Sequence, residues 1–257
     1  MLNNRIRHVL MLGAAITALT IGGAAIANDM KKNSAESGST KAERAVTLRA
    51  EADGLVTKAT KTVGDFESSK ISHEFHRALA KGRAVLIVPE YERAGLGLGG
   101  EGGKGVLLKK MPGTTAWTYP AFYRMSGATL GAQVGFEKGA MFVVIQNQQT
   151  LDEIMNGELT LGAEARAVIG SKGVQAQTTK TGGHEIDIFV RTKGAFAGAV
   201  VKGGDLKPDE KLNRTYYGRK VSAKEVLRAN GPRNPQADAL RAALSKLVYR
   251  TVTAPTN

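Results

Sequence analysis

Cysteine is absent from the 257 residues of this chain. Disulfide bonds, thiol nucleophiles, cysteine-ligated metals and a lipidated N-terminal cysteine are therefore excluded. Aromatic residues are scarce as well, at 5% of the chain, and the only aromatic-dense stretch contains Trp117, Tyr119, Phe122 and Tyr123. We predict core packing for most of them, although tryptophan and tyrosine also suit a membrane interface.

The sequence also has little that indicates catalysis. Only four histidines are present, and His184 has no obvious nucleophile beside it. His73 and His76 stand three positions apart, whereas metal-binding helices usually separate two histidines by four positions and add a third ligand. No strand-turn-helix elbow surrounds a serine. We predict that the protein is not an enzyme and has no catalytic residues and no metal site.

Two overlapping GxGxxG patterns begin at Gly95 and Gly97. A dinucleotide site needs a helix directly after the glycines and an acidic residue about 20 positions further on. The residues that follow instead read as a strand, and residues 104–136 contain no acid. We therefore expect no nucleotide and no other cofactor.

The first 40 residues form two segments. Arg5 and Arg7 precede an uncharged stretch, residues 9–27, that ends in Ala-Ile-Ala. This pattern is typical of a secretory signal peptide, residues 1–27, with an uncleaved anchor helix as the alternative. Residues 28–40 are polar and rich in Ser, Lys and Asn, so we predict a flexible linker.

The densest glycine region, residues 80–137, organises the rest of the chain. Residues 84–88 are apolar and end at a proline, which predicts a buried strand. Beyond them Ala94, Leu96 and Leu98 alternate with glycines, and residues 129–136 repeat the pattern. A strand with one bare glycine face implies a sharp bend, a bulge or the close approach of another backbone or ligand.

Helical patterns lie mainly at the two ends of the chain. In residues 41–66, apolar side chains recur at steps of three or four, and basic residues lie off that stripe. Two interpretations are open: a helix docked on the sheet, or an amphipathic segment that lies on a membrane. Residues 71–79 indicate a second helix, and residues 236–249 indicate the last one.

Three helix starts carry capping patterns, which are Thr150 with Glu153, Ser222 with Glu225, and Asn234 before Pro235. Strands fill the intervals at residues 140–145, 165–169, 185–191 and 196–201, the last two joined by a hairpin at residues 192–194. The predicted fold is α+β. A single domain, residues 41–249, has a curved, largely antiparallel or barrel-like glycine-rich sheet flanked by N- and C-terminal helices, and residues 250–257 form a tail.

Positive charge is in excess and uneven. The formal net charge is +13, and residues 191–233 contain eleven Lys and Arg but only four Asp and Glu. A basic exported protein meets few nucleic acids, so we expect an anionic phospholipid or membrane surface as the partner.

Five stretches resemble, in order and spacing, the blocks of the SYLF domain, also called the Ysc84-like domain. They are AKGRAVLIVPEYERAGLGLGGEGGKGVLL, WTYPAFYRMSGATLGAQVG, LDEIMNGELTLGAEA, IDIFVRTKGAFAGAVVKGG and NRTYYGRKVSAKEVL. The resemblance implies a non-enzymatic phospholipid-binding domain. Eukaryotic members bind phosphoinositides through an N-terminal amphipathic helix and basic residues, and some bind actin. Bacterial members carry export signals, which implies a periplasmic or outer-membrane-associated protein and argues against actin as a physiological partner.

The resemblance places the family's amphipathic helix at residues 41–66, and we predict lipid contacts by apolar residues of this helix and by basic residues of the charge-rich stretch after position 190. These are Leu48, Leu55, Val63, Phe66, Arg191, Lys193, Lys202, Lys207, Lys211, Arg214, Arg219 and Lys220. Two alternatives stay open: an envelope hydrolase with an unrecognised site, and a scaffold that binds envelope proteins.

Overall fold

The computed structural model describes residues 14–253, except residues 70, 159, 162–165, 169–173, 182–183 and 194–203. The chain divides into two compact units, Met1–Thr47 and Leu48–Asn257. Helix α1 (Ala14–Glu67) includes residues 28–40, so the segment predicted as a flexible linker is helical here. Extending an existing helix needs no new nucleation, which favours continuation through a polar stretch.

An antiparallel sheet of seven strands forms the centre of the second unit. The strands are β1 (Ala84–Lys109), β2 (Ala121–Ile145), β3 (Thr160–Leu161), β4 (Arg166–Val168), β5 (Val174–Thr181), β6 (His184–Lys193) and β7 (Gly204–Pro208). Paired neighbours follow the order β3, β7, β2, β6, β5, β4, and β1 pairs with β2 outside that path. The predicted α+β class is confirmed, and the described strands do not close into a barrel.

Strands β1 and β2 form one long ribbon that bends back on itself. They are paired over almost their whole lengths, starting with Ala84 opposite Ile145, and the register shifts twice along β1. Just beyond the far end of β1, the Lys110 N–H donates to the carbonyl oxygen of Arg83 at 2.7 Å. The two ends of β1 therefore lie side by side.

Two glycines make this approach possible. A Cβ atom at Gly103 would lie 2.6 Å from the carbonyl oxygen of Glu90, and a Cβ atom at Gly105 would lie 2.6 Å from that of Ile87. No side chain fits at such distances, so both positions need glycine. The alternating glycines predicted a sharp bend, a bulge or a close approach; the close approach occurs at Gly103 and Gly105, just beyond them, and a register shift lies between Leu96 and Leu98.

Helices cover both faces of the sheet. They are α2 (Ser72–Lys81), α3 (Gln148–Asn156), α4 (Glu210–Tyr217), α5 (Ala223–Val226) and α6 (Asp238–Thr253), with a 3-10 turn (Pro235–Ala237) before α6. One buried cluster joins α1, α2, α4 and α6 to the face that carries Val85 and Ile87. The other joins α3 and α5 to the face that carries Leu86 and Val88, as strand alternation requires.

Two of the three predicted helix caps are present in the structure. Asn147 caps α3 by accepting a hydrogen bond from the Thr150 N–H at 2.9 Å, so the capping box predicted at Thr150 is wrong. Asparagine precedes Thr150 by the three positions that a cap needs. The capping box of Ser222 and Glu225 is confirmed, and Asn234 caps the turn before α6.

Three of the predicted strands correspond to the end of β2, to β4 and to β6. The strand predicted at residues 196–201 lies outside the described residues, as does the end of the hairpin at residues 192–194. Strand β5 has no counterpart among the predictions, because its sequence, VQAQTTKT, is mostly polar and lacks a continuous apolar face. It is a strand because it pairs with β6 from Val174 to Thr181.

The glycine contact gives a direct test of the fold. We expect Gly105→Ala to lower the free energy of unfolding by about 1–3 kcal/mol, because its Cβ would displace the Ile87 backbone. In Gly64→Ala, the matched control on α1, the new Cβ meets no atom within 4 Å, and we expect a gain of about 0.5–1 kcal/mol. Urea unfolding measures both, and a Gly105→Ala protein as stable as the parent would contradict the close approach.

Candidate functional site

The apolar residues predicted to enter a membrane belong largely to the core. Leu55, Val63 and Phe66 are 7%, 1% and 0% exposed, and Leu48 is half-buried. The Phe66 ring meets the Phe142 ring edge-on, with centroids 4.8 Å apart. Of the two interpretations of this helix, the structure shows the docked one, so a bilayer would reach these side chains only if α1 left the sheet.

Ion pairs add to this docking along the outer side of α1. They join Glu51 to Lys104, Lys58 to Glu90 at 2.7 Å, Asp65 to Arg191 at 3.3 Å and Glu67 to Arg250 at 2.7 Å. All these side chains are partly exposed, so each pair contributes only about 0–1 kcal/mol. Burial of the apolar stripe therefore contributes most to the docking of α1.

Two of the predicted lipid-binding cations form ion pairs with carboxylates. Arg191 pairs with Asp65 of α1, and Lys207 lies 3.1 Å from Asp205 on its own strand. Their charges are largely neutralised locally, which makes them weaker candidates than the sequence indicated. The side chain of Lys193 and the whole of Lys202 lie outside the described residues.

The other four predicted cations belong to residues 210–233, which we call the basic segment. Seven cations of this segment are exposed, namely Lys211, Arg214, Arg219, Lys220, Lys224, Arg228 and Arg233. Its only acids are Glu210 and Glu225. Within the described part of the chain, none of the seven forms an ion pair, so the segment carries an uncompensated positive charge.

Buried polar contacts fix the start of the basic segment to the end of the sheet. Asp209 caps α4 through the Leu212 N–H. The Asn213 side chain accepts from the Phe122 N–H at 2.9 Å and donates to the Phe122 carbonyl at 3.1 Å. The Tyr217 hydroxyl donates to the Pro120 carbonyl oxygen at 2.7 Å. These contacts hold α4 rigidly, so its charges are presented in a fixed place.

The aromatic residues of this region are part of that anchoring. Tyr216 packs edge-on against Phe122, with centroids 4.9 Å apart, and the Arg49 guanidinium lies 5.4 Å from its ring centroid. Burial raises the pKa of the Tyr216 hydroxyl far above its usual value. Trp117 and Tyr119 are buried too. Core packing, which we predicted for most of the aromatic stretch, is confirmed.

Arg219 and Arg228 both act electrostatically on Glu225 in the basic segment. The pKa of Glu225 is lowered first by hydrogen bonds from Ser222 and then by the positive charges of these two arginines. One exposed carboxylate that interacts with two arginines leaves a net positive charge.

A cavity of about 570 Å³ lies between α1 and the bend of β1. This volume is within the roughly 300–1,000 Å³ typical of small-ligand sites. Its lining includes Gly54 and Leu55 from α1 and Arg93 and Glu101 from the two arms of β1. The lining contains neither histidine nor serine, the residues that a hydrolase site would bring together.

Two buried charges belong to this cavity. Arg93 is 2% exposed and Glu101 is 5% exposed, and Arg93 Nε lies 3.7 Å from Glu101 Oε2. The Tyr91 hydroxyl donates to the same Glu101 oxygen at 2.8 Å. This cavity was not predicted from the sequence, although charged residues set within glycine-rich strands are a sign of it.

The two histidines of α2 do not assemble a metal site. No group of three or more His, Asp, Glu or Cys residues that could hold a metal ion occurs in the described ranges. In the same ranges, no helix is both long and apolar enough to cross a bilayer.

The fold and the two sites define an antiparallel α+β domain with helices on both faces, a basic segment and a charged cavity. A family model described as Ysc84, Las17-binding protein actin regulator, matches residues 126–247. The chain is similar to this Ysc84-like, or SYLF, family, which supports the resemblance seen in its sequence blocks.

Three relatives show how far the similarity extends. The chain is 29% identical to Protein YSC84 of Saccharomyces cerevisiae over 166 residues, which are 63% of this chain and 35% of that protein. It is 28% identical to LAS seventeen-binding protein 3 of the same yeast, over 63% of this chain and 35% of that protein. It is 25% identical to SH3 domain-containing YSC84-like protein 1 of Homo sapiens, over 63% and 47%.

The chain thus spans about a third to a half of the length of these relatives. No solved structure matches it.

His76 gives a pH test of the docked helices. Burial is the main cause that lowers the pKa of His76, with Glu67 opposing and Arg250 and His73 adding to the decrease. The folded state therefore favours neutral His76, and its contribution to stability is complete above the unfolded pKa of about 6.5. That contribution is lost as the pH falls through the lower folded value.

We expect the free energy of unfolding to decrease between about pH 7 and pH 5, and His76→Gln to reduce that decrease. His73→Gln is the matched control, because His73 is exposed on the same helix. Denaturant unfolding over this pH range measures both variants. An unchanged pH dependence in His76→Gln would show that its burial does not matter.

Proposed function

We propose that the chain is a non-enzymatic protein that binds anionic phospholipid through the basic segment. The observation that supports this most is the seven exposed cations of residues 210–233, none of which has a carboxylate partner among the described residues. Where a cation elsewhere on the domain forms an ion pair, the carboxylate cancels much of its electrostatic field at close range. The basic segment keeps its field, which is what attraction to a negative leaflet requires.

The magnitudes indicate what this surface can do alone. A Lys or Arg near an anionic leaflet contributes about 1 kcal/mol. Four such residues would give about 4 kcal/mol and roughly millimolar binding, and all seven would give a dissociation constant on the order of 10 µM. The predicted insertion of Leu55, Val63 and Phe66 is not needed for this binding, and α1 stays docked.

The proposed location of the protein in the cell depends on the proposed export segment. We propose that residues 1–27 direct export, so that the partner surface lies in the cell envelope. The matching family model is described as an actin regulator, and the yeast and human relatives carry names that refer to Las17 binding and an SH3 domain. An exported chain would not meet actin, so we propose lipid as the partner.

Vesicle binding tests this proposal. We expect the triple variant Arg219→Gln, Lys220→Gln, Arg228→Gln to bind vesicles containing phosphatidylglycerol about 100-fold more weakly than the parent. Co-sedimentation at low and high salt measures the loss, and binding of the parent should fall as salt screens the charges. Binding to neutral vesicles should be weak for every variant.

The matched control removes the same number of charges from paired cations. Lys61→Gln, Lys138→Gln and Arg250→Gln together change the net charge equally but act on residues bound to Asp65, Glu92 and Glu67. We expect a much smaller loss for this control. Equal losses would reject the basic segment as the site, and unchanged binding of both triples, with the parent bound to an acidic envelope protein instead, would favour the scaffold alternative.

A further inference from the structure

Two asparagines of this chain are followed by glycine, namely Asn156 and Asn230. In such a pair the backbone nitrogen of the glycine can attack the side-chain amide carbon of the asparagine, because glycine has no side chain to hinder the approach. Ammonia leaves, and water opens the cyclic succinimide that has formed. The product is an aspartate or an isoaspartate, and either one carries a negative charge that asparagine lacks.

The local backbone requires glycine in both pairs. Gly157, at the end of α3, has a left-handed backbone with a φ of 74°. A Cβ atom at Gly231 would overlap the carbonyl oxygen of Val226 and would lie 2.8 Å from that of Glu225. Neither glycine can be replaced without strain. The difference between the two pairs therefore lies in how firmly each asparagine is held.

Asn156 is exposed but held on both sides. Its side-chain oxygen accepts a hydrogen bond from Lys224 Nζ at 2.8 Å, and its side-chain nitrogen donates to Glu158 Oε2 at 3.3 Å. The Gly157 N–H donates to the Ile154 carbonyl oxygen at 3.0 Å, at the end of the helix. The attacking nitrogen and the amide under attack are both engaged, so these hydrogen bonds must break before the ring can close.

Asn230 is held by fewer contacts. It is exposed in the turn that follows α5. Within the part of the chain that the structure describes, its side chain forms no hydrogen bond. The Gly231 N–H donates to the Arg228 carbonyl oxygen at 3.0 Å. This one hydrogen bond lies in a surface turn, where local opening needs little free energy, and opening frees the nitrogen to attack.

We propose that Asn230 is a deamidation site that lowers the positive charge of the basic segment. Asn230 lies within residues 210–233, whose seven cations and two acids give a net charge of +5. One deamidation reduces this charge to +4, so an aged chain binds an anionic surface more weakly than a newly made one. The effect on binding rests on the proposed function of the segment, whereas the reaction itself does not.

Peptide mapping of the full chain by mass spectrometry, after incubation in isotopically labelled water, tests the reaction. We expect residue 230 to convert at least about tenfold faster than residue 156, because two more hydrogen bonds hold residue 156. Each converted residue should contain labelled oxygen from the water that opens the ring. Equal rates, or a slower rate at residue 230, would overturn the proposal.

The same measurement in urea tests whether the fold causes the difference. Both asparagine–glycine pairs should convert at similar rates in the unfolded chain, because their hydrogen bonds are then lost. A tenfold difference that persists in urea would overturn the structural explanation.

A double variant that frees Asn156 tests the same cause in the folded chain. Lys224→Ala with Glu158→Ala removes both hydrogen bonds to the Asn156 side chain. We expect the rate at residue 156 to rise about tenfold, and the rate at residue 230 to stay as it is in the parent. Thermal unfolding confirms that the variant is folded. An unchanged rate at residue 156 in the folded variant would show that these bonds do not protect it.

Vesicle binding tests the consequence. We expect Asn230→Asp to bind vesicles containing phosphatidylglycerol about fivefold more weakly than the parent, which is the loss for one charge near an anionic leaflet. Thr57→Glu is the matched control, because Thr57 is exposed on α1 outside the basic segment and gains the same charge. Equal losses in the two variants, or no loss in Asn230→Asp, would overturn the effect on binding.

The proposed function fails in a different way. Unchanged binding of the triple variant Arg219→Gln, Lys220→Gln, Arg228→Gln would reject the basic segment as the lipid site. The conversion rates at residues 156 and 230 would not change with that result, and they decide by themselves whether Asn230 is a deamidation site.

Discussion

The close approach of the two arms of β1 is the constraint on which the domain depends. Gly103 and Gly105 let the backbone of one arm pass beside Ile87 and Glu90 of the other. This contact folds the long ribbon of β1 and β2 back on itself, and the alternating side chains of the ribbon supply one core on each face of the sheet. The same bend leaves the cavity under α1, with the charges of both arms around it.

Charge is distributed in two ways on this scaffold. Around α1, cations meet carboxylates, as Lys58 meets Glu90 and Arg191 meets Asp65, and these pairs help to hold the helix. Among the described residues, none of the seven exposed cations of the basic segment forms an ion pair, and the first helix of the segment is fixed by Asn213 and Tyr217. The domain thus combines a docked helix with a surface segment of net positive charge. We therefore propose that the basic segment, and not α1, contacts the membrane.

Local patterns predicted much of this fold but not the pairing of its charges. The stripe of residues 41–66 indicated an amphipathic helix, yet a stripe has the same period whether its apolar face meets a sheet or a bilayer. The glycine alternation predicted a bend, a bulge or a close approach, and a close approach occurs just beyond it, at Gly103 and Gly105. Arg191 looked like a free cation because its partner, Asp65, lies 126 positions earlier. Arg93 and Glu101 become a cavity wall only when β1 bends.

Amide hydrogen exchange with and without phosphatidylglycerol vesicles tests the central claim most directly. The account predicts that vesicles slow exchange in residues 210–233, while residues 52–66 of α1 keep the protection that they have in solution. Loss of protection in residues 52–66, with no change in the basic segment, would contradict it, because the helix would then leave the sheet to bind the membrane.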